Sequence, residues 1–250
     1  MTYKIWYNGS YPEAELNLLK SLTSGHELIF DSDYDKEESA KLLSNADIAF
    51  GQPNPDIVRQ SSTLKLIHLS SAGYDKFDNA EMREALTSRG AAMTNSSQVY
   101  NEPCAQHALA MILSLARRIP EALDVQRTTR EWPTWELRAI SPLLCGQTIL
   151  MLSFGAIAQR LAELLSPFRA NLIALRRRKV EHDTVKVITE DELSKYLPLA
   201  DHVVNILPSN AGTTKFINTE KLALMKQGAN FYNIGRGSTV DQEALLDALN

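Results

Sequence analysis

The chain has 250 residues, of which 44% are apolar and 22% are charged, with 11 glycines and 10 prolines. This composition is typical of a globular protein and excludes a disordered or collagen-like chain. The net charge of −4 gives no electrostatic footprint for nucleic acid or for an anionic membrane.

The cysteines and the first residues of the chain indicate the compartment. Cys104 and Cys145 form neither a zinc-ligand spacing nor a disulfide framework, so we expect no metal site and a reducing, cytoplasmic compartment. Residues 1–10 lack the basic segment and apolar run of a secretory signal. No stretch approaches the ~18 uninterrupted apolar residues that a transmembrane helix needs.

Short apolar runs alternate with helix-like segments in the first hundred residues. Strands are predicted at 3–7, 26–30, 47–50 and 64–69, and helices at 13–22 and 36–44. Because strands that alternate with helices form βαβ crossovers, the pattern predicts an α/β fold with a parallel sheet.

A second alternation follows a long helix predicted over 101–118. Residues 125–142 are predicted to be an irregular connection, either a functional lid or a loop whose tryptophans pack on the body. The next strands are predicted at 148–152, 172–175, 202–207 and 229–233, with helices at 156–165, 190–197, 220–226 and 241–249. The chain therefore reads as two consecutive α/β units, with a boundary near residues 95–101.

Two small-residue turns follow predicted strands, where parallel sheets bind their ligands. One is Ser70-Ser71-Ala72-Gly73, and the other runs from Ser153 through Gly155 to Ala158. In the second, Gly155 occupies the middle glycine position of a dinucleotide-binding turn, and the helix that follows offers its amides to phosphates. An ordinary βα turn remains the alternative at both places.

The residues after the strand at 172–175 indicate the cofactor. A cofactor with a free ribose 2′-hydroxyl usually meets an acidic residue there, but this chain has Arg176-Arg177-Arg178-Lys179. Guanidinium groups bind a 2′-phosphate, so NADP is expected in preference to NAD. The alternative is a solvated basic loop.

An arginine lies between two glycines after the strand at 229–233. The segment Asn233-Ile234-Gly235-Arg236-Gly237, followed by Val240-Asp241, resembles the most specific motif of the D-2-hydroxyacid dehydrogenase family, the D-isomer-specific, NAD(P)-dependent enzymes. Further similar segments are Ser70 to Asp75, Leu144 to Thr148, Leu207-Pro208, Thr213 and Ile217-Asn218.

The resemblance implies a flavodoxin-like substrate domain at 1–98, followed by a Rossmann-type, doubly wound cofactor domain at 99–250. It implies hydride transfer between NADP or NAD and a small 2-keto or 2-hydroxy acid of the glyoxylate or hydroxypyruvate type, in a homodimer. Ala72 and Gly73 would bind the substrate carboxylate, and Arg236 would be catalytic. The cofactor-binding residues would be Phe154, Gly155, Ala156, Ile157, Arg176, Arg177, Leu207, Pro208, Thr213, Ile234 and Gly235.

One departure from the family keeps other functions open. The family completes its site with a Glu and a His downstream of the arginine motif, and the sequence ends at Asn250. We therefore expect a C-terminally incomplete chain whose cofactor domain lacks its last elements. A non-catalytic, dinucleotide-sensing regulatory protein of the same fold is the main alternative, and a relative acting on formate or phosphite is a more remote one.

Overall fold

A computed structural model describes all 250 residues and divides the chain into two compact units, Met1–Val99 and Tyr100–Asn250. Each unit has its own five-stranded sheet in which every pair of neighbouring strands is parallel. The predicted α/β class with two sheets is therefore confirmed.

The first unit has the strand order β2-β1-β3-β4-β5. Trp6, Ala49 and Ile67 are buried on neighbouring strands and form the centre of its apolar core. The strands and helices are β1 (Lys4–Tyr7), α1 (Glu13–Leu22), β2 (Glu27–Phe30), α2 (Lys36–Ser44), β3 (Ile48–Gly51), α3 (Pro55–Gln60), β4 (Leu66–Leu69), α4 (Ala80–Ser88) and β5 (Ala92–Asn95).

Short polar side chains cap three of the four helices of this unit, α2, α3 and α4. The Asp35 carboxylate accepts hydrogen bonds from the amides of Glu37 and Glu38 at the start of α2. Asn54 caps α3 in the same way, with Pro55 in the first turn, where its missing N–H leaves no helical bond unmade. The starts of these helices are thereby fixed by residues next to them in the sequence.

The second unit has the strand order β10-β9-β6-β7-β8, with β6 at its centre. Ile149, Leu150, Met151 and Leu152 are fully buried because helices cover both faces of the sheet. Its elements are α5 (Asn101–Ala116), α6 (Ile119–Arg127), α7 (Thr134–Ala139), β6 (Thr148–Leu152), α8 (Ala156–Leu165), β7 (Asn171–Leu175), β8 (Val185–Ile188), α9 (Leu193–Tyr196), β9 (His202–Asn205), α10 (Thr219–Ala223), β10 (Asn230–Asn233) and α11 (Gln242–Leu249).

The structure corrects the prediction for residues 125–142. This segment contains the end of α6 and all of α7, so it is not an irregular connection. Trp132 and Trp135 are 88% and 74% exposed, so the idea that they pack on the body is also wrong. None of the helices combines the length and the apolar character that a bilayer crossing requires.

Candidate functional site

The turn between β6 and α8 leaves the first amides of α8 without a side-chain cap. Gly155 is the N-cap residue of this helix and has no side chain to bond them. A methyl group on Gly155 would meet no protein atom closer than Ser153 Oγ, at 3.9 Å. Packing within the protein therefore does not require glycine here, whereas a ligand that approaches the backbone would.

Ser153 has a φ angle of +126°, a conformation that side-chain-bearing residues rarely adopt. It follows β6 directly, at the position where a dinucleotide-binding turn has its first glycine. The chain thus retains the conformation of the tight turn although the residue is serine. Backbone strain of this kind typically accompanies a functional constraint.

A cavity of about 1050 Å³ opens at the carboxyl ends of β6, β7, β8 and β9. Seven of the predicted cofactor-binding residues line it: Phe154, Gly155, Arg176, Arg177, Leu207, Pro208 and Thr213. The other four, Ala156, Ile157, Ile234 and Gly235, are not part of its lining, although Ala156 and Ile157 form the first turn of α8.

The basic side of the cavity is formed by Arg176, Arg177 and Arg178, which follow β7. All three residues are exposed, and none of their guanidinium groups is paired with a carboxylate. Lys179, in contrast, lies 3.1 Å from Glu192. Three cationic groups are therefore available to an anion in the cavity.

Acidic residues that the sequence analysis missed also line the cavity. Thr189, Glu190 and Asp191 follow β8, a strand that was not predicted. A hydrogen bond with Thr189 holds the pKa of the Asp191 carboxyl below its ordinary value, so this group is charged at neutral pH. The alternation of apolar residues at Val185 and Val187 was the available signal for the strand.

Gly235 has a structural role in the loop after β10. A methyl group at this position would lie 2.7 Å from the carbonyl oxygen and 3.0 Å from the amide nitrogen of Leu207. The loop after β10 therefore approaches the loop after β9 backbone to backbone. Leu207 also lines the cavity, so the loop after β10 packs against a residue of the cavity wall.

Arg236 follows Gly235 and is half-buried. Its Nη1 donates a hydrogen bond of 3.0 Å to the carbonyl of Gly235. Its own carbonyl accepts hydrogen bonds from Thr239 Oγ1 at 2.6 Å, from the Thr239 amide at 3.2 Å and from Asn233 Nδ2 at 3.3 Å. Three hydrogen bonds to one carbonyl group, two of them from Thr239, thus hold the backbone of Arg236.

In the first unit, the Ala72–Gly73 turn directs its carbonyl groups towards protein donors. The carbonyl of Ala72 accepts from Asn95 Nδ2 at 2.9 Å, and that of Gly73 accepts from Ser71 Oγ at 2.6 Å. The amides of Ala72 and Gly73 donate no hydrogen bond in the structure. Two N–H groups of neighbouring residues with no protein acceptor form a suitable site for a carboxylate.

The side chain of Gln52 also holds the loop that carries this turn. Gln52 Nε2 donates hydrogen bonds of 3.1 Å to both Ser70 Oγ and Ser71 Oγ. Asn8 binds the backbone of Gln52 with both ends of its own amide, at 2.6 and 3.0 Å. The turn is therefore braced at the carboxyl ends of β1, β3 and β4.

Comparisons with known proteins give the family. Residues 109–250 match the model of the D-isomer specific 2-hydroxyacid dehydrogenase, NAD binding domain. The chain is 28% identical to a glyoxylate reductase of Pyrococcus furiosus over its whole length and 76% of the relative. It is 26% identical to a D-3-phosphoglycerate dehydrogenase of Methanocaldococcus jannaschii over 86% of this chain, and it spans only 41% of that relative.

A solved structure shows the same fold. It is a D-isomer specific 2-hydroxyacid dehydrogenase family protein of Aeromonas salmonicida, with a TM-score of 0.83 and 23% identity over all of this chain and 78% of that one. The family match covers more than half of the sequence, including the whole cavity. The chain belongs to the D-isomer specific 2-hydroxyacid dehydrogenase family, and its second unit is an NAD(P)-binding domain of an oxidoreductase.

Proposed function

We propose that this protein uses NADPH to reduce a small 2-keto acid of the glyoxylate or hydroxypyruvate type. The observation that carries the proposal is the cavity of about 1050 Å³, which joins the uncapped start of α8 to three guanidinium groups. Anions bind favourably at both places, at helix amides and at arginine side chains. A dinucleotide that carries an additional phosphate has anionic groups suited to both.

The cofactor would be held by its phosphates. The amides of Ala156 and Ile157 at the start of α8 would bind the pyrophosphate, close to Gly155. Arg176 and Arg177 would bind the 2′-phosphate, and NAD, which lacks this group, would bind less tightly. Glu190 and Asp191 on the same cavity oppose that effect, so we expect a preference for NADP and not an absolute requirement.

The substrate would be held by its carboxylate and its keto oxygen. The amides of Ala72 and Gly73 would bind the carboxylate. Arg236 would stabilise the negative charge that develops on the keto oxygen when the carbon accepts hydride, because a fixed cation favours the transition state over the neutral ketone. The nicotinamide, when bound, supplies that hydride.

The similarity to the Pyrococcus furiosus glyoxylate reductase, at 28% identity, supports the choice of a small 2-keto acid.

Self-association is part of the proposal. Trp132, Trp135, Ile140 and Leu143 are large apolar residues of the second unit that are between 50% and 88% exposed. Exposed apolar surface of this kind typically marks a protein contact, and we propose that it supports a homodimer.

The test has two steps, because binding and turnover separate the enzyme from a sensing protein. The first step titrates NADPH and NADH into the protein by calorimetry, and we expect NADPH to bind more tightly. The second step follows NADPH oxidation with glyoxylate, hydroxypyruvate and, as an unrelated acid, acetate. Oxidation of NADPH by a keto acid but not by acetate would contradict the regulatory alternative, and equal binding of NADH would contradict the NADP preference.

A further inference from the structure

A chain of buried hydrogen bonds connects the arginine loop to the wall of the cofactor cavity. Its central member is Asn205, the last residue of β9, whose side chain is fully buried. Asn205 Nδ2 donates to Thr239 Oγ1 at 2.7 Å and to Asn233 Oδ1 at 3.1 Å. Asn205 Oδ1 accepts from the amide of Leu207 at 3.3 Å, so both ends of this amide group are bonded.

Thr239, the second buried residue of this network, bonds the backbone of Arg236. Thr239 is fully buried, and its hydroxyl accepts from Asn205 and donates to the carbonyl of Arg236 at 2.6 Å. A hydroxyl has one proton to donate, and here the carbonyl takes it while a lone pair receives the Asn205 amide. The direction of every bond is thereby fixed.

Asn233 provides a parallel connection from the end of β10. Its Oδ1 accepts from Asn205 and from the amide of Gly235, at 3.1 Å each, and its Nδ2 donates to the carbonyl of Arg236. Arg236 therefore receives two side-chain bonds that both lead back to Asn205. The same asparagine bonds Leu207, which lines the cofactor cavity.

We propose that Asn205 and Thr239 are positioning residues that fix the Arg236 loop relative to the cofactor cavity. The inference rests on the proposed function, because it gives these residues a role through Arg236. Buried polar groups of this kind are costly unless every partner is present, and a complete network holds one arrangement of the backbone. A displacement of about 1 Å at a charged group that binds a substrate can lower its effect by about 100-fold.

The decisive pair of variants is Thr239→Val and Thr239→Ser. Valine has nearly the shape of threonine but cannot bond Asn205 or the Arg236 carbonyl, whereas serine retains the hydroxyl. Ser61→Ala is the matched control, since it removes another buried hydroxyl, which donates to the carbonyl of Ser44 in the first unit. Asn233→Ala is a second probe at an exposed position, which keeps the test usable if Thr239→Val does not fold.

Two measurements report on Arg236 without requiring turnover. The first is the ¹H–¹⁵N signal of the Arg236 Nε group, assigned by its loss in Arg236→Lys. The second is the dissociation constant of oxamate, an unreactive analogue of a small 2-keto acid, for the NADP-loaded protein. NADPH affinity and the unfolding midpoint are recorded alongside.

We expect Thr239→Val to shift or broaden the Arg236 signal and to weaken oxamate binding at least about tenfold, with NADPH affinity nearly unchanged. Thr239→Ser restores both properties, Asn233→Ala shows a smaller change in the same direction, and Ser61→Ala alters only the unfolding midpoint. An unchanged Arg236 signal in Thr239→Val and Asn233→Ala would overturn the inference. If the unsubstituted protein does not bind oxamate, the proposed function fails, and the Arg236 signal still decides the positioning role.

Discussion

The imidazole of His202 lies between two polar partners inside the second unit, with Nδ1 2.9 Å from the hydroxyl oxygen of Tyr232 and Nε2 2.9 Å from Gln147 Oε1. His202 is buried, and burial lowers its pKa although the neighbouring Asp201 carboxylate acts in the opposite direction. The folded protein therefore holds this side chain neutral.

This burial predicts a loss of stability in mild acid. A histidine whose pKa is lower in the folded state binds protons first in the unfolded state, so the free energy of unfolding falls as the pH drops below ~6.5. The slope is at most about 1.4 kcal/mol per pH unit for one group. Thermal unfolding of the His202→Gln variant between pH 7.5 and 5.5 should show a flatter dependence. His107→Gln, at an exposed position, is the control and should retain the slope of the unsubstituted protein.

Gly155→Ala tests whether a ligand approaches the start of α8. The added methyl group meets no protein atom within 3.4 Å, so the free energy of unfolding should change by less than about 1 kcal/mol. Dinucleotide affinity should fall at least about tenfold, because the methyl group occupies space that the pyrophosphate needs. Gly237→Ala adds a methyl group in open space away from the cavity lining and should leave dinucleotide affinity intact. An unchanged dinucleotide affinity in Gly155→Ala would show that this turn does not bind the pyrophosphate.

Ser153→Gly should stabilise the protein. A positive φ angle at a residue with a side chain costs ~1–3 kcal/mol, and glycine removes this cost while losing ~0.5–1 kcal/mol through its more flexible unfolded state. We expect a net gain of about 1 kcal/mol in urea unfolding. Ser153→Ala retains the strain and should show no gain, so equal stabilities of the two variants would contradict the strained turn.

The basic and acidic residues around the cavity are predicted to have opposite effects on NADPH binding. Arg176→Gln and Arg177→Gln should each weaken NADPH binding about tenfold or more and leave NADH binding nearly unchanged, since only NADPH carries the 2′-phosphate. Asp191→Asn should strengthen NADPH binding, because it removes a negative charge from the same cavity. Arg127→Gln, at an exposed position on α6, is the control. A parallel loss of NADPH and NADH affinity in the arginine variants would show that they do not select the 2′-phosphate.

Much of the fold follows from local patterns that are visible in the sequence. The strand at 148–152 was predicted because five apolar or β-branched residues precede a glycine turn, and the structure has β6 over the same residues. The strand Val185–Ile188 was not predicted, since it is interrupted by Lys186 and lies between charged and polar residues. The wall formed by Thr189, Glu190 and Asp191 was missed for the same reason.

The sequence by itself determined the α/β class, the two sheets, the turn around Gly155 and the family motif around Arg236, because each depends on residues that are close together in the chain. Only the tertiary structure decided what lies around them. Asn205 reaches Thr239 across 34 positions, and Gly235 meets the backbone of Leu207 across 28, so neither contact has a local signal. Burial and the cost of leaving a buried polar group without a partner select such contacts, and both are properties of the folded chain.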